Sequence, residues 1–281
     1  MDYLTTSDIL ERLRTQALAK SSEMDSEKFI VNSIVKIRAY FRPHQHDKPY
    51  SDTILVAQTT GAGSCYCYGE DPEMSLDILG ADGRTVDTNS LCMNIAVLDS
   101  VYSNLRGTPA ITYMLEGTSS QKSEGRTNII VSEMQRVLKS KKRPKVTMVG
   151  SVGSVLHSLS AQGWEIFATD LDDSLIGNKL GNVLVEDGRS MTLARVEQSH
   201  VALITGMTLS TGTLADIIRV AKSHETTVIM FSETGGNFAS ELLQLGVECV
   251  IAEEYPFYMF PGITKVHVFR KAQRYPKETK S

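Results

Sequence analysis

The chain has 281 residues, of which 41% are hydrophobic and 22% charged. That is ordinary globular composition, and it excludes a disordered or collagen-like chain. The formal net charge of −4 and the pI of about 5.9 give no sign of a nucleic-acid surface or an anionic-membrane patch.

Basic residues cluster at Lys139, Lys141, Lys142, Arg143 and Lys145, a run that reads as a solvated helix end. The four cysteines are Cys65, Cys67, Cys92 and Cys249. None forms a C-x-x-C pair, and Cys65-Tyr66-Cys67 alternates as strand residues do. They read as packed, reduced thiols of a cytosolic protein, with no metal centre expected. The N-terminus lacks a basic-then-apolar signal pattern, and no apolar run reaches membrane-spanning length.

In chain order, Asp8 with Glu11 three residues on predicts a capped first helix, with Ile9, Leu10, Leu13 and Leu18 on its apolar side. Ile30, Ile34, Ile37 and Phe41 recur at helical spacing and predict a second helix over 27–41. A polar loop bounded by prolines follows, in which His44 and His46 are weak metal-ligand candidates. Residues 54–58 and 65–68 read as a hairpin around Gly61-Ala62-Gly63. Residues 89–105 are helical again. Residues 1–120 are thus expected to form an N-terminal α+β domain. A polar linker over 117–125 and a helix over 128–139 make up the connection across 121–144.

After Pro144 the pattern becomes regular, with strands expected at 145–149, 165–169, 183–185, 201–204, 228–231, 250–251 and 266–269 and helices between most of them. Strands alternating with helices of this length indicate an α/β fold, a Rossmann-like and mostly parallel sheet over 145–281. Such sheets hold ligands outside the strand carboxyl ends. The loops at those ends therefore carry the candidate residues.

The first is Gly150-Ser151-Val152-Gly153, where glycine permits a tight turn and close backbone approach. Asp170 ends the next strand, twenty residues after Gly150, where an acid accepts hydrogen bonds from ribose hydroxyls. The full G-x-G-x-x-G fingerprint of dinucleotide sites is missing. A pyrophosphate wants that complete loop. S-adenosylmethionine carries no phosphate but a sulfonium and an ammonium, and the acids Asp170, Asp172, Asp173, Glu186 and Asp187 suit it better. The second candidate is Thr205-Gly206-Met207-Thr208-Leu209-Ser210-Thr211-Gly212-Thr213, with five hydroxyls and two glycines between strand and helix. Capping explains one or two of the hydroxyls, and the others could hold a carboxylate. Glu233, in the next such loop, faces an amine or sulfonium, acts as a base, or is a solvated acid. The aromatic stretch from Tyr255 to Phe260 is either a wall that excludes water and faces a cation or packing.

The hydroxyl run, continued by Leu214, resembles the T-G-x-T-L-x-x-G-T-L signature of Rossmann-like proteins that carry the label "putative heavy-metal chelation". In those proteins a small α+β domain precedes the Rossmann domain. The element order, the N-terminal extension and Pro256-Phe257-Tyr258-Met259-Phe260-Pro261-Gly262 also resemble the bacterial azetidine-2-carboxylate synthases, which cyclise S-adenosylmethionine and release methylthioadenosine.

The expected function is therefore an enzyme that takes S-adenosylmethionine as substrate. The α-amine would attack the γ-carbon, with positioning supplying much of the rate. In that reading Asp170 holds the ribose, and Gly150 and Gly153 admit the ligand. Thr205, Gly206, Thr208, Ser210 and Thr213 hold its carboxylate or amine. Glu233 is base or sulfonium partner, Tyr255, Phe257, Tyr258 and Phe260 form the wall, and Asn128 reaches in from the domain junction. The alternatives are a small-molecule methyltransferase, a non-catalytic metal- or metallophore-binding protein relying on His44, His46 or the cysteines, and a nicotinamide-dependent oxidoreductase. A small-molecule partner is expected, with no nucleic acid or membrane. Base rates favour a homodimer.

Overall fold

A computed structural model describes residues 5–41, 50–69, 72–139 and 141–271. His44 and His46 lie outside them. The elements are α1 (Thr6–Lys20), β1 (Ser33–Phe41), β2 (Tyr50–Gln58), β3 (Ala62–Cys67), α2 (Leu91–Tyr102), β4 (Ile111–Leu115), α3 (Ser119–Leu138), β5 (Lys145–Val149), α4 (Gly153–Ser160), β6 (Glu165–Asp170), β7 (Lys179–Leu180), β8 (Val183–Asp187), α5 (Gly188–Gln198), β9 (Val201–Thr205), α6 (Met207–Ser210), α7 (Leu214–Ser223), β10 (Thr227–Ser232), α8 (Ala239–Leu245), β11 (Cys249–Glu253) and β12 (Thr264–Arg270).

The larger sheet has nine strands in the order β4-β12-β11-β10-β9-β5-β6-β8-β7. From β11 to β8 every pairing is parallel. Taken in chain order, those six strands are arranged 3-2-1-4-5-6, the Rossmann order, with its switch point between β5 and β9. Their sequences are apolar runs because both faces are covered. One face packs on α3 and α4 through Ile130, Met134, Val155 and Leu159. The other packs on α7 and α8 through Leu214, Ile217 and Leu242. β4 precedes the Rossmann segment in sequence but closes this sheet antiparallel to β12.

The smaller sheet is antiparallel, in the order β1-β2-β3. β1 stands where a helix over 27–41 is expected. The helical spacing of Ile30, Ile34, Ile37 and Phe41 is coincidental. The same run also alternates, and its β-branched residues suit a strand. Nine registered pairs with β2, from Ser33↔Gln58 to Phe41↔Tyr50, decide the matter. The capping box of α1 sits one turn earlier than expected: Thr5 Oγ1 accepts from the Asp8 N–H at 3.2 Å, and the Thr5 N–H donates to Asp8 at 2.6 Å.

The expected linker over 117–125 is mostly the start of α3, capped by a Thr118–Gln121 box. Its polarity misleads because Lys122, Ser123, Arg126 and Thr127 are buried polar residues. β3 lies against the carboxyl ends of the Rossmann strands. Ser64 Oγ donates to the Glu233 carbonyl at 2.7 Å, and the Tyr66 N–H donates to Thr234 Oγ1 at 2.9 Å. No helix among the described residues is long and apolar enough to cross a membrane.

Candidate functional site

At the switch point, Gly150 has φ +84°, and a Cβ there would lie 2.5 Å from Thr205 Oγ1. Glycine is thus demanded twice, by its left-handed backbone and by contact between the ends of β5 and β9. Beside it, Asp170 accepts from the Ser151 N–H at 2.6 Å and from the Asp172 N–H at 2.9 Å. One carboxylate thereby ties the two loops together. The Ser151 hydroxyl is buried without a partner, and around Gly153 there is open space. Asp52 of β2 comes close enough to feel these acids. Burial, with Asp172 and Asp170 adding to it against Arg38, pushes its carboxyl up to about 6. Tyr68 Oη donates to the Leu171 carbonyl at 2.6 Å.

The hydroxyl run is engaged differently from the expectation. Thr208 Oγ1 donates to the Thr205 carbonyl at 2.9 Å, Ser210 Oγ to the Met207 carbonyl at 3.1 Å, and Thr211 Oγ1 to that same carbonyl at 3.0 Å. Thr213 Oγ1 is 3.0 Å from Thr211 Oγ1. Four of the five hydroxyls therefore serve the short α6 and its turn into α7. Such local bonding is what serine and threonine offer at helix ends. Gly206 is buried against Ser232 and Thr234. Thr208, Ser210 and Thr213 thus already have hydrogen-bond partners within the chain.

Glu233 is not a loop acid in solvent. Arg126 Nη1 lies 2.8 Å from Glu233 and 3.2 Å from Glu253, which is fully buried. The guanidinium carbon stands 3.8 Å from the centre of the Tyr258 ring. Burial, reinforced by the Glu253 charge and opposed by Arg126, pushes the Glu233 carboxyl up to about 8. Asp99 is fully buried and pushed up to about 7, by burial against the Ser64 and Asn237 N–H groups it accepts from. Between these acids is a cavity of about 10 Å³, lined among others by Asp99, Arg106, Glu233 and Glu253. That is room for about one water.

The aromatic stretch is likewise interior. Phe257 and Tyr258 are buried with Ile54, Val56 and Tyr66 of β2 and β3, while Tyr255 and Phe260 pack at the edge of that cluster. The cation that faces it is Arg126 of the same chain. Asn128, two residues further along α3, is exposed. The helical turn carries it away from the face of Arg126, so it does not reach the junction.

A third grouping stands apart. Cys65 and Cys67 point to one face of β3, as residues two apart must. That face meets the first turn of α2, which carries Cys92. The three sulfurs lie within 4.8 Å of one another, with Cys65 0%, Cys92 5% and Cys67 6% exposed. Burial and hydrogen bonding among the three push the Cys65 thiol well up. Hydrogen bonds from Cys65 and Cys67, and from the Tyr68 N–H, pull Cys92 down to about 4 against burial. Cys249 is elsewhere, on β11 beside Glu133.

Residues 133–250 match a family model described as DUF364, "Putative heavy-metal chelation". The stretch runs from α3 into β11 and includes the Gly150, Asp170 and Thr205 loops; the three clustered cysteines precede it. A protein of unknown function from the DUF364 family of Desulfitobacterium hafniense DCB-2 is similar over 95% of this chain and 98% of its own, at 13% identity and a TM-score of 0.58. Another of unknown function, from the DUF364 family of Pyrococcus horikoshii, is similar over 88% of this chain and 87% of its own, at 10% identity and a TM-score of 0.51. At such identities the likeness is one of fold. No curated protein matches.

Sequence reasoning missed Arg126 and the cysteine trio. Arg126 had a signal: a helix begun at Thr118 puts Lys122, Arg126, Ile130 and Met134 on one face, and cations in line with apolar residues are buried ones. For the trio, only the Cys65/Cys67 half was readable. Cys92 follows Cys67 by 25 residues and reaches it through the packing of β3 on α2.

Proposed function

We propose that this chain binds a thiophilic metal ion through Cys65, Cys67 and Cys92. The observation that carries the reading is the convergence of three sulfurs within 4.8 Å of one another in a buried site. Thiolates are the ligands of soft ions. The family matched by 133–250, described as "Putative heavy-metal chelation", is compatible with the same class, though the three cysteines precede that stretch. The test is a titration of the reduced protein with Cd(II), read by the near-ultraviolet sulfur-to-metal band. One ion per chain is expected, with binding lost in Cys92→Ser and kept in Cys249→Ser. A band that survives Cys92→Ser sinks the reading.

A second reading rests on a different observation. Asp170 stands beside the Gly150 turn in a Rossmann sheet, with the buried, unpartnered Ser151 hydroxyl next to it. This supports an adenosyl ligand at the ends of β5 and β6, and with it an S-adenosylmethionine-using enzyme. Its products would be azetidine-2-carboxylic acid and methylthioadenosine, or a methylated acceptor. Calorimetry with S-adenosylmethionine, followed by mass spectrometry of the products, tests it. Intact ligand and no heat of binding would remove it.

A further inference from the structure

We propose that the Cys65–Cys67–Cys92 site selects a trivalent thiophilic metalloid, of which arsenite is the simplest, over divalent zinc. The inference rests on the thiolate-site reading above and names its ligand class. The first argument is donor number. The grouping holds three sulfurs and, among the described residues, no histidine or carboxylate. Structural zinc is almost always four-coordinate. A fourth donor would have to be a backbone carbonyl, a poor ligand for zinc beside thiolates, or a water brought to sulfurs that are at most 6% exposed. Trivalent arsenic is complete with three.

The second argument is charge. All three cysteines belong to a buried apolar cluster with Leu55, Ala57, Ile95 and Ala96. Three thiolates around zinc leave one negative charge in that core, and three around monovalent copper leave two. Three around trivalent arsenic leave none. An unpaired buried charge is strongly disfavoured, so the neutral complex is the one this environment accepts.

The chemistry balances without a redox partner. Arsenous acid and three thiols give the tris-thiolate and three waters: three As–O bonds break, three As–S bonds form, and each thiol proton leaves on a hydroxyl. Arsenic stays trivalent and no sulfur is oxidised. The positions allow the closure, because two ligands sit on one strand face and the third in the facing helical turn.

The experiment uses the full chain, reduced with a phosphine so that no added thiol competes. Arsenite and Zn(II) are titrated separately at pH 7 by calorimetry, and the arsenite complex is examined by arsenic-edge X-ray absorption. The expected result is one arsenite per chain, three As–S bonds, and an affinity at least about tenfold above that for zinc. Cys249→Ser should behave as wild type. The absorption measurement needs no variant, so a misfolded cysteine mutant does not leave the question open. Zinc bound as tightly or more tightly, or arsenite held by only two sulfurs, overturns the selectivity while leaving the thiolate site standing. No binding of zinc, cadmium or arsenite overturns both.

Discussion

The Arg126 guanidinium lies 2.8 Å from the Glu233 carboxyl, at the junction where β3 and the aromatic stretch cover the Rossmann strand ends. It also meets Glu253, so one buried cation faces two acids. Glu233 is the acid pushed up to about 8, hence protonated at neutral pH. The two should then respond differently to mutation. Glu233→Gln replaces a protonated acid by its near-isostere and should cost less than about 1 kcal/mol. Arg126→Ala should cost about 3–5 kcal/mol by leaving a buried carboxylate unpaired. Urea denaturation of both variants measures this, and equal losses would contradict the assignment.

The same acids set a pH dependence. Glu233 and Asp99 have folded pKa values of about 8 and about 7, raised above their ordinary 4.5 and 3.8. Between the ordinary and raised values the folded chain holds protons that the unfolded chain has released. Stability from these groups is therefore full below about pH 4 and is lost as pH rises through 7 to 8. The slope is at most about 1.4 kcal/mol per pH unit for each group. Glu254, held down to about 2 first by its bond to His267, acts in the opposite sense in acid, and Cys92, pulled down to about 4, does so up to the ordinary thiol range. Melting temperature should thus fall from pH 5 to about pH 7, where both acids outweigh Cys92, less steeply in Glu233→Gln. A flat wild-type profile would argue against the buried protons.

Much of the Rossmann half is legible in the sequence because parallel strands covered on both faces must be apolar runs ended by turn residues. β5, β9 and β10 are of that kind. What fails is whatever depends on a distant partner. The β1 run satisfies two periods at once, and only β2 chooses between them. The first turns of α3 read as linker because burial of Lys122 and Arg126 is justified by carbonyls and carboxylates more than a hundred residues away: Lys122 Nζ donates to the Phe260 and Gly262 carbonyls, and Arg126 to Glu233 and Glu253. The hydroxyl run was legible as unusual, but its composition could not show that its hydroxyls turn back on their own carbonyls.

The Gly150–Thr205 contact gives a cleaner stability test than the hydroxyls do. Gly150→Ala meets both a φ of +84° and a 2.5 Å approach to Thr205 Oγ1. The backbone cost is of order 1–3 kcal/mol, and overpacking adds a similar amount. Thr205→Ala in the Gly150→Ala background should recover only the steric part, because it leaves φ unchanged. A thermal-melt cycle of the two substitutions separates the terms, and complete rescue would show that φ contributes nothing.

Metal binding should also be visible as folding stability. Cys65 and Cys67 belong to β3 and Cys92 to α2, which form the centre of the N-terminal module; an ion held by all three clamps strand to helix. A ligand that binds only the folded chain stabilises it by RT ln(1 + [L]/Kd), about 2.7 kcal/mol at a hundredfold excess over Kd. Free cysteines of the unfolded chain also bind thiophilic ions, so the observed gain should be smaller than that figure. The dependence on position is the informative part. Cadmium should raise the melting temperature of wild type and Cys249→Ser alike, and a chelator should reverse the rise. Cys65→Ser and Cys92→Ser should gain little, because two sulfurs on one strand, or one on each element, no longer close the clamp. If all four proteins gain equally, the ion binds cysteines wherever they are, and the geometry of the trio is not what holds it.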